Sequence, residues 1–177
     1  AERYPALVDC TTLVGGIQIQ GRATIGGNLC NAAPSADTIP ALIALGAVAH
    51  LRGPKGKRKV PVEEFCVGPG KTALRKGEML IHLKIPKPAR HAGAFFLRFI
   101  PRNEMDIAVV NAAAAVVLDA KGKKFVSARI AIGAAAPTPL YVEEAGALLA
   151  GEPVSENLIA EAARLASAAV RPITDMR

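Results

Sequence analysis

Aromatic residues are scarce in this sequence. They make up 4% of 177 residues, and tryptophan is absent. A base-stacking surface of aromatic side chains is therefore not expected, and nucleic acid is not an expected partner. Cysteine is sparse as well. Cys10, Cys30 and Cys66 form an odd set at long spacings, without a Cys-x-x-Cys pair. That argues against a zinc ribbon or a self-contained iron–sulfur site, so no metal ligands are assigned to this chain. Three free thiols suit a reducing compartment, and the expected location is cytoplasmic. The longest near-apolar stretches, 38–51 and 107–118, fall short of the roughly 20 residues that span a bilayer. No basic-then-apolar leader precedes them. The chain starts with Ala-Glu-Arg and stops at Met176-Arg177. It reads as an internal fragment.

What is present argues for a packed core. Apolar residues reach 51%, mean hydropathy is +0.28, and alanine alone fills 34 positions. Disordered chains lack such content. The net charge of +7 is unevenly placed. Residues 51–103 hold thirteen basic and three acidic side chains, a net of +10. The flanking segments are slightly acidic. The densest run, 52–59, contains Gly and Pro and reads as a hairpin tip. Its first reading is a solvated loop that aids solubility. Its second is a docking surface for an acidic partner. His50 and His82 lie in apolar strand-like runs and read as structural, and His91 stands apart from both.

Periodicity and punctuation divide the chain. Residues 2–14 read as the end of a helix stopped by Gly15-Gly16. Ile17–Gln20 alternate and predict a short strand. Residues 21–37 are rich in small residues and predict a loop. A short helix over 38–45 follows, with Asp37 as its expected cap and Gly46 as its end. Residues 47–52 and 57–62 predict a hairpin, 67–74 a second small-residue loop, and 78–85 a strand ended by Pro86. The stretch 86–93 combines Pro, Gly and charge and reads as a linker. Beyond it, 94–100 predicts a strand. The run 107–118 suits strand or helix, and its length and following turn favour strand. In 125–132, Val126, Ala128, Ile130 and Ile132 are expected to share one face of an antiparallel hairpin. Two helices, about 140–150 and 156–170, close the chain. The second has Ser155 as N-cap and a stripe of Leu158, Ala162, Leu165 and Ala169. The fold class is α+β in two pieces.

The segment 23–37, ATIGGNLCNAAPSAD, is unlike a packing element. Gly26-Gly27 removes side chains where a backbone must approach something closely. Successive N–H groups in such a turn can form a nest for an anion. Thr24, Asn28 and Asn31 add short polar groups, and Asp37 can accept from a ribose hydroxyl. Each hydrogen bond to a charged phosphate contributes about 1.5–3 kcal/mol. The segment is neither a Walker loop nor a Gly-x-Gly-x-x-Gly dinucleotide loop. A plain Gly-Gly turn between two elements is the competing reading.

The stretch ATIGGNLCNAAPSADTIPALIALGA resembles the second FAD-binding motif of the flavin subunit of molybdenum hydroxylases. This family includes xanthine dehydrogenase and aerobic carbon monoxide dehydrogenase flavin chains. The likeness continues through LRGPKGKRKVPVEEF, GPGKTALRKGEMLIHLKIP, RNEMDIAVVNAAAAVVLD, ARIAIGAAAPTPL and RPITDMR. The resemblance implies the second subdomain of a vanillyl-alcohol-oxidase-type FAD-binding domain over residues 1–89. A small C-terminal domain with an antiparallel sheet and helices would follow over 90–177. It implies FAD contacts from Ala23, Thr24, Ile25, Gly26, Gly27, Asn28, Cys30 and Asn31. Asp37 would serve the adenosine side, Leu80 the adenine end, and Arg98 the neighbourhood of the flavin, where related chains often carry Lys. A first FAD subdomain, about a hundred residues upstream in the family, is not in this sequence.

The implied role is electron transfer. The family's large subunit holds a molybdenum–pterin centre, its small subunit holds two iron–sulfur clusters, and the flavin subunit relays electrons to an acceptor. The expected partners are those two subunits of a hetero-oligomer, with no membrane span. No residue here is a convincing acid, base or nucleophile, so none is assigned as catalytic. The alternative is an assembly fragment that docks partner subunits without holding FAD.

Overall fold

The computed structural model describes residues 3–102 and 105–174. The first half begins with three short helices, α1 (Pro5–Thr11), α2 (Ile17–Gln20) and α3 (Ile25–Asn31). Helix α2 replaces the expected strand. Its alternation of Ile and Gln does not reflect a half-buried sheet, since Ile17 and Ile19 are 79% and 50% exposed. Four residues bounded by Gly16 and Gly21 satisfy themselves locally instead. Gln20 N–H donates to Gly16 O at 3.0 Å and Gly21 N–H to Ile17 O at 3.0 Å.

Helix α3 replaces the expected loop. Thr24 is extended, with φ −128° and ψ 151°, and its Oγ1 accepts from the Gly27 N–H at 2.9 Å. This side-chain cap offsets the roughly 1 kcal/mol that each interior glycine costs a helix. Leu29 is fully buried beneath it.

Helix α4 (Thr38–Ala44) is buried along all seven residues. It ends as a Schellman motif at Gly46, whose φ is +65°. Ala47 N–H donates to Leu42 O and Gly46 N–H to Ile43 O, which satisfies carbonyls the helix end would leave open. Asp37 does not cap its start and makes no side-chain bond to the helix backbone. Its carboxylate faces Arg98 and Asn111 instead.

Two antiparallel sheets flank α4. The first has the order β2-β1-β5, from β1 (Val48–Gly53), β2 (Gly56–Pro61) and β5 (Met79–Lys84). The hairpin tip is Pro54-Lys55, as the basic run predicts. Between β2 and β5 a two-stranded ribbon, β3 (Cys66–Gly68) and β4 (Lys71–Thr72), occupies the expected second loop. Ala49, Leu51 and Val60 point inward and pack with Leu42, Ile43 and Phe65.

The second sheet runs β6-β7-β8-β9, from β6 (Ala92–Phe99), β7 (Val110–Leu118), β8 (Phe125–Gly133) and β9 (Leu140–Tyr141). The run 107–118 thus resolves as strand. Ala113 and Ala115 leave one face flat enough for helices to approach closely, while Ala112 and Ala114 stay exposed on the other. One face takes α1 and α4 through Ala6, Cys10, Ala41, Ala44, Phe96 and Ala113. The other takes α5 (Glu143–Leu149) and α6 (Glu156–Ala168) through Phe125, Ala128, Ile132, Ala145, Leu149, Ala162 and Ala166. Ser155 caps α6 by accepting from Leu158 N–H. Val126 does not join the buried face of β8. Val117 pairs with Ser127 and Leu118 with Phe125, so Val126 is an extra, bulged residue, and it is 57% exposed. The bulge brings Phe125 onto the core face in its place.

Candidate functional site

The cap geometry of α3 sets the site. Gly27 N–H is bonded to Thr24 Oγ1 and Asn28 N–H to Thr24 O. The first two helical N–H groups, those of Ile25 and Gly26, are the ones a helix start leaves without an intrahelical acceptor. Neither Gly26 nor Gly27 has positive φ. Their value is space. A Cβ on Gly26 would sit 3.4 Å from Leu80 Cδ2, and one on Gly27 would sit 3.0 Å from Thr24 Oγ1. Any longer side chain at Gly26 would grow against Leu80 on β5.

A groove of about 570 Å³ opens between these elements. Thr24, Gly26, Gly27 and Cys30 form one wall, and Leu74, Leu80 and the exposed edge of β5 form the other. Five of the sequence-predicted residues therefore share one groove. Ala23, Ile25 and Asn28 border a smaller cleft of about 90 Å³ with Thr24 and Thr38. Asn28 is turned inward, since its Oδ1 accepts from Thr38 Oγ1 at 2.6 Å. Asn31 is exposed in the last turn of α3.

Asp37 and Arg98 lie apart from the groove lining, in the interior. Asp37 is 8% exposed. Arg98 Nη1 donates to Asp37 Oδ2 at 3.1 Å and to Leu13 O at 2.8 Å. Asn111 Nδ2 donates to Asp37 Oδ1 at 3.3 Å. Burial raises the Asp37 pKa, and Arg98 and Asn111 oppose that rise.

Two contributors escape sequence reasoning. One is Asn111, a lone polar side chain within an apolar strand, which was the available signal. The other is the Arg58–Glu78 pair at the groove rim. Arg58 Nε and Nη2 donate to both Glu78 oxygens at 2.8 and 2.7 Å, and Nη2 also donates to Ala73 O. Arg75 N–H donates to Glu78 Oε2 at 2.7 Å. The Arg58 hydrogen bonds, with that of Arg75, hold the Glu78 carboxyl at about 2. The basic run hides this role, because Arg58 alone among its cations faces the core side of β2.

The thiols are poor nucleophiles. Burial pushes Cys10 up to about 12 and Cys66 up to about 11, and it raises Cys30. Among the described residues, no group of three or more His, Cys, Asp or Glu side chains is placed to hold a metal ion. What the groove offers is the Gly26 backbone donor at a helix start, with that of Ile25 beside it, a side-chain-free approach and an apolar opposite wall. That set suits an elongated ligand with an anionic section and a flat apolar section.

Residues 1–88 match the FAD binding domain in molybdopterin dehydrogenase, and residues 95–177 match the CO dehydrogenase flavoprotein C-terminal domain. The carbon monoxide dehydrogenase medium chain of Afipia carboxidovorans is 38% identical over 178 residues, which covers 100% of this chain and 60% of that one. The xanthine dehydrogenase FAD-binding subunit of Escherichia coli O157:H7 is 37% identical over 142 residues, 80% of this chain and 48% of that one. A carbon monoxide dehydrogenase structure from Hydrogenophaga pseudoflava superposes with a TM-score of 0.91 at 30% identity, covering 98% of this chain and 60% of that chain. Quinoline 2-oxidoreductase from Pseudomonas putida 86 does so with a TM-score of 0.85 at 31% identity, covering 99% and 60%. The chain spans 48–60% of the length of these four relatives. Both domain types, in the same order and with the same fold, place the chain in the family of molybdenum hydroxylase flavin subunits, the FAD-binding chains of xanthine and carbon monoxide dehydrogenases.

Proposed function

We propose that this chain holds FAD in the groove between α3 and β5 and serves as the flavin component of a molybdenum-containing dehydrogenase. The observation that carries the reading is the bare first turn of α3, with Gly26 facing Leu80 across the groove. The residues present fit the cofactor. The Ile25 and Gly26 N–H groups suit pyrophosphate oxygens. Thr24 holds the turn in place, and Leu80 with Cys30 supplies apolar wall. Asn28 and Ala23 support the turn from behind. The buried Asp37–Arg98 pair fixes the position of α4 relative to β6. Asn31, at the exposed end of α3, borders the ligand from outside. Bound FAD supplies electron storage and transfer, while the protein supplies binding and orientation. In this reading a further wall, closing the open side of the groove, comes from a segment that the longer relatives carry. The partners are a subunit with iron–sulfur clusters and a subunit with the molybdenum centre, and the complex is cytoplasmic. The FAD domain ends near residue 89.

Reconstitution with excess FAD tests the reading on the full-length protein. The wild type is expected to retain flavin absorbance through gel filtration. Gly26→Leu is expected to lose it while keeping an unchanged far-ultraviolet spectrum. A wild type that binds no flavin, or a Gly26→Leu variant that binds it equally well, overturns the proposal.

A further inference from the structure

The outer face of the β2-β1-β5 sheet concentrates positive charge, and of its cations and histidines only His82 also lines the flavin groove. The three strands, VAHLRG, GKRKVP and MLIHLK, contain no Asp or Glu. Pairing places Lys59 opposite His50, and His82 opposite His50 on its other side. Arg52 lies opposite Lys57, and Lys84 opposite Val48. The inward residues Ala49, Leu51 and Val60 occupy the core, so these six cations and histidines share the outward face. All are exposed except His50, which is partly buried.

Like charges directly across a sheet destabilise it. Here Arg52 faces Lys57, and His50 sits between Lys59 and His82. The two imidazoles stack with centroids 4.2 Å apart, and His50 Nε2 is buried without a hydrogen-bond partner. A face chosen only for solubility would intersperse signs. The molecule has acidic side chains available, and Arg58, on the opposite face of the same strand, is paired with Glu78. A conflict kept at one place, when local rules point elsewhere, marks a functional surface.

We propose that this face is a docking site for an acidic protein surface, and that acidification tightens the docking by charging His50. The charged groups around the pair are Lys59 from β2, Arg52 from β1 and Lys84 from β5. All are cationic, so protonation in the free protein meets only repulsion. Desolvation, then His82, Lys59 and Lys84, holds the His50 imidazole below its ordinary pKa. An acidic partner reverses that field and favours the imidazolium. By linkage, the partner then binds more tightly as pH falls. A protein fits better than nucleic acid, because the face is only six residues long on each strand and lacks Phe, Tyr and Trp.

The test uses the whole chain and a fluorescent oligoaspartate peptide, read by anisotropy at about pH 8 and about pH 6, either side of the ordinary histidine value. Binding is expected to tighten roughly three- to tenfold at the lower pH, the gain from up to one pK unit of histidine shift. The Lys57→Glu/Lys59→Glu/Lys84→Glu variant is expected to lose binding. Lys121→Glu/Lys123→Glu/Lys124→Glu, the same charge change in the turn between β7 and β8, is expected to keep it. To separate loss of the face from misfolding of the first variant, the wild-type histidines are also followed by nuclear magnetic resonance. Saturating peptide is expected to raise the titration midpoint of His50, to perturb the ring resonances of His82 and to leave those of His91 unchanged. Equal loss in both triple variants, or an unmoved midpoint of His50, overturns the proposal. So does retention of duplex DNA but not oligoaspartate at physiological salt, which assigns the face to nucleic acid.

Discussion

Glu78 shows how one carboxylate can hold a site edge in register. Its two oxygens take three donors, two from Arg58 and one from the Arg75 backbone. The same guanidinium reaches Ala73 O. The turn 73–78 is thereby pinned to β2, and β5 leaves it at a fixed height beside α3. Gly53 belongs to this arrangement, since a Cβ there would collide with Glu78. The carboxyl titrates at about 2 in the folded protein, below the ordinary glutamate range. As pH falls, the unfolded chain takes up this proton first. The stabilisation is therefore complete above the ordinary glutamate value and disappears as pH falls from there to about 2. Glu78→Gln is expected to lower the urea midpoint at neutral pH. The gap to wild type should close progressively across that acid window. A gap that stays constant from neutral pH to the acid end would show that the pair contributes through packing and not charge.

At the scale of elements, the legible parts of the fold were those with a long apolar signature. The hairpin of β1 and β2, strands β5 to β8 and helix α6 follow from alternation, turn residues and Ser155. The parts that misread are short, and local bonds decide them. Residues 17–20 alternate like a strand but have no neighbour to pair with. Residues 25–31 carry two glycines, a composition that argues against helix, yet one threonine hydroxyl closes the first turn. Asp37 stands where a cap belongs, but a buried arginine 61 residues away claims it. The site was legible in Gly26-Gly27 and Thr24, small residues suited to a close backbone approach, whereas Cys30 and Leu80 followed only from the family resemblance. Arg58 with Glu78, and Asn111, depend on tertiary pairing that a single sequence does not display. Because the α3 cap is a single side-chain bond, Thr24→Ala tests it directly. The loss is expected at about 1 kcal/mol, within the usual range for an N-cap. Chemical denaturation measures that loss. In the flavin assay the same variant should bind FAD more weakly than its small stability loss explains, because the Gly26 donor then lies on a frayed turn. Thr24→Ser, which keeps the hydroxyl, should restore both.

At the scale of the whole molecule, α4 is the shared element. Its residues serve both sheets: Ile39, Leu42 and Ile43 pack with Leu51 and Phe65 on one side, and Ala41 and Ala44 pack with Phe96 and Ala113 on the other. Two arginines from the second sheet reach across to its ends. Arg129 of β8 donates to Ile43 O at 3.0 Å and to Glu63 at 2.8 Å, and it lies 4.1 Å over the Tyr141 ring. Arg98 of β6 meets Asp37 just before the helix, with side-chain exposures of 7% and 11%. A buried pair of this kind is weak evidence for net stability, because desolvation offsets its attraction. Removing one partner is different, since it leaves a charge stranded in the interior. Arg98→Met is expected to cost about 3–5 kcal/mol. Asp37→Leu/Arg98→Met, which removes both charges, should recover most of that loss. Urea unfolding followed by far-ultraviolet dichroism and by tyrosine fluorescence reads both variants. In the wild type the two probes should coincide, since one buried helix serves both sheets. If the double variant is as unstable as the single one, the pair's role lies in the hydrogen bonds to Leu13 and Asn111, and not in mutual neutralisation. If the double variant recovers stability but its two probes separate, the ion pair is what makes α4 a common part of both cores.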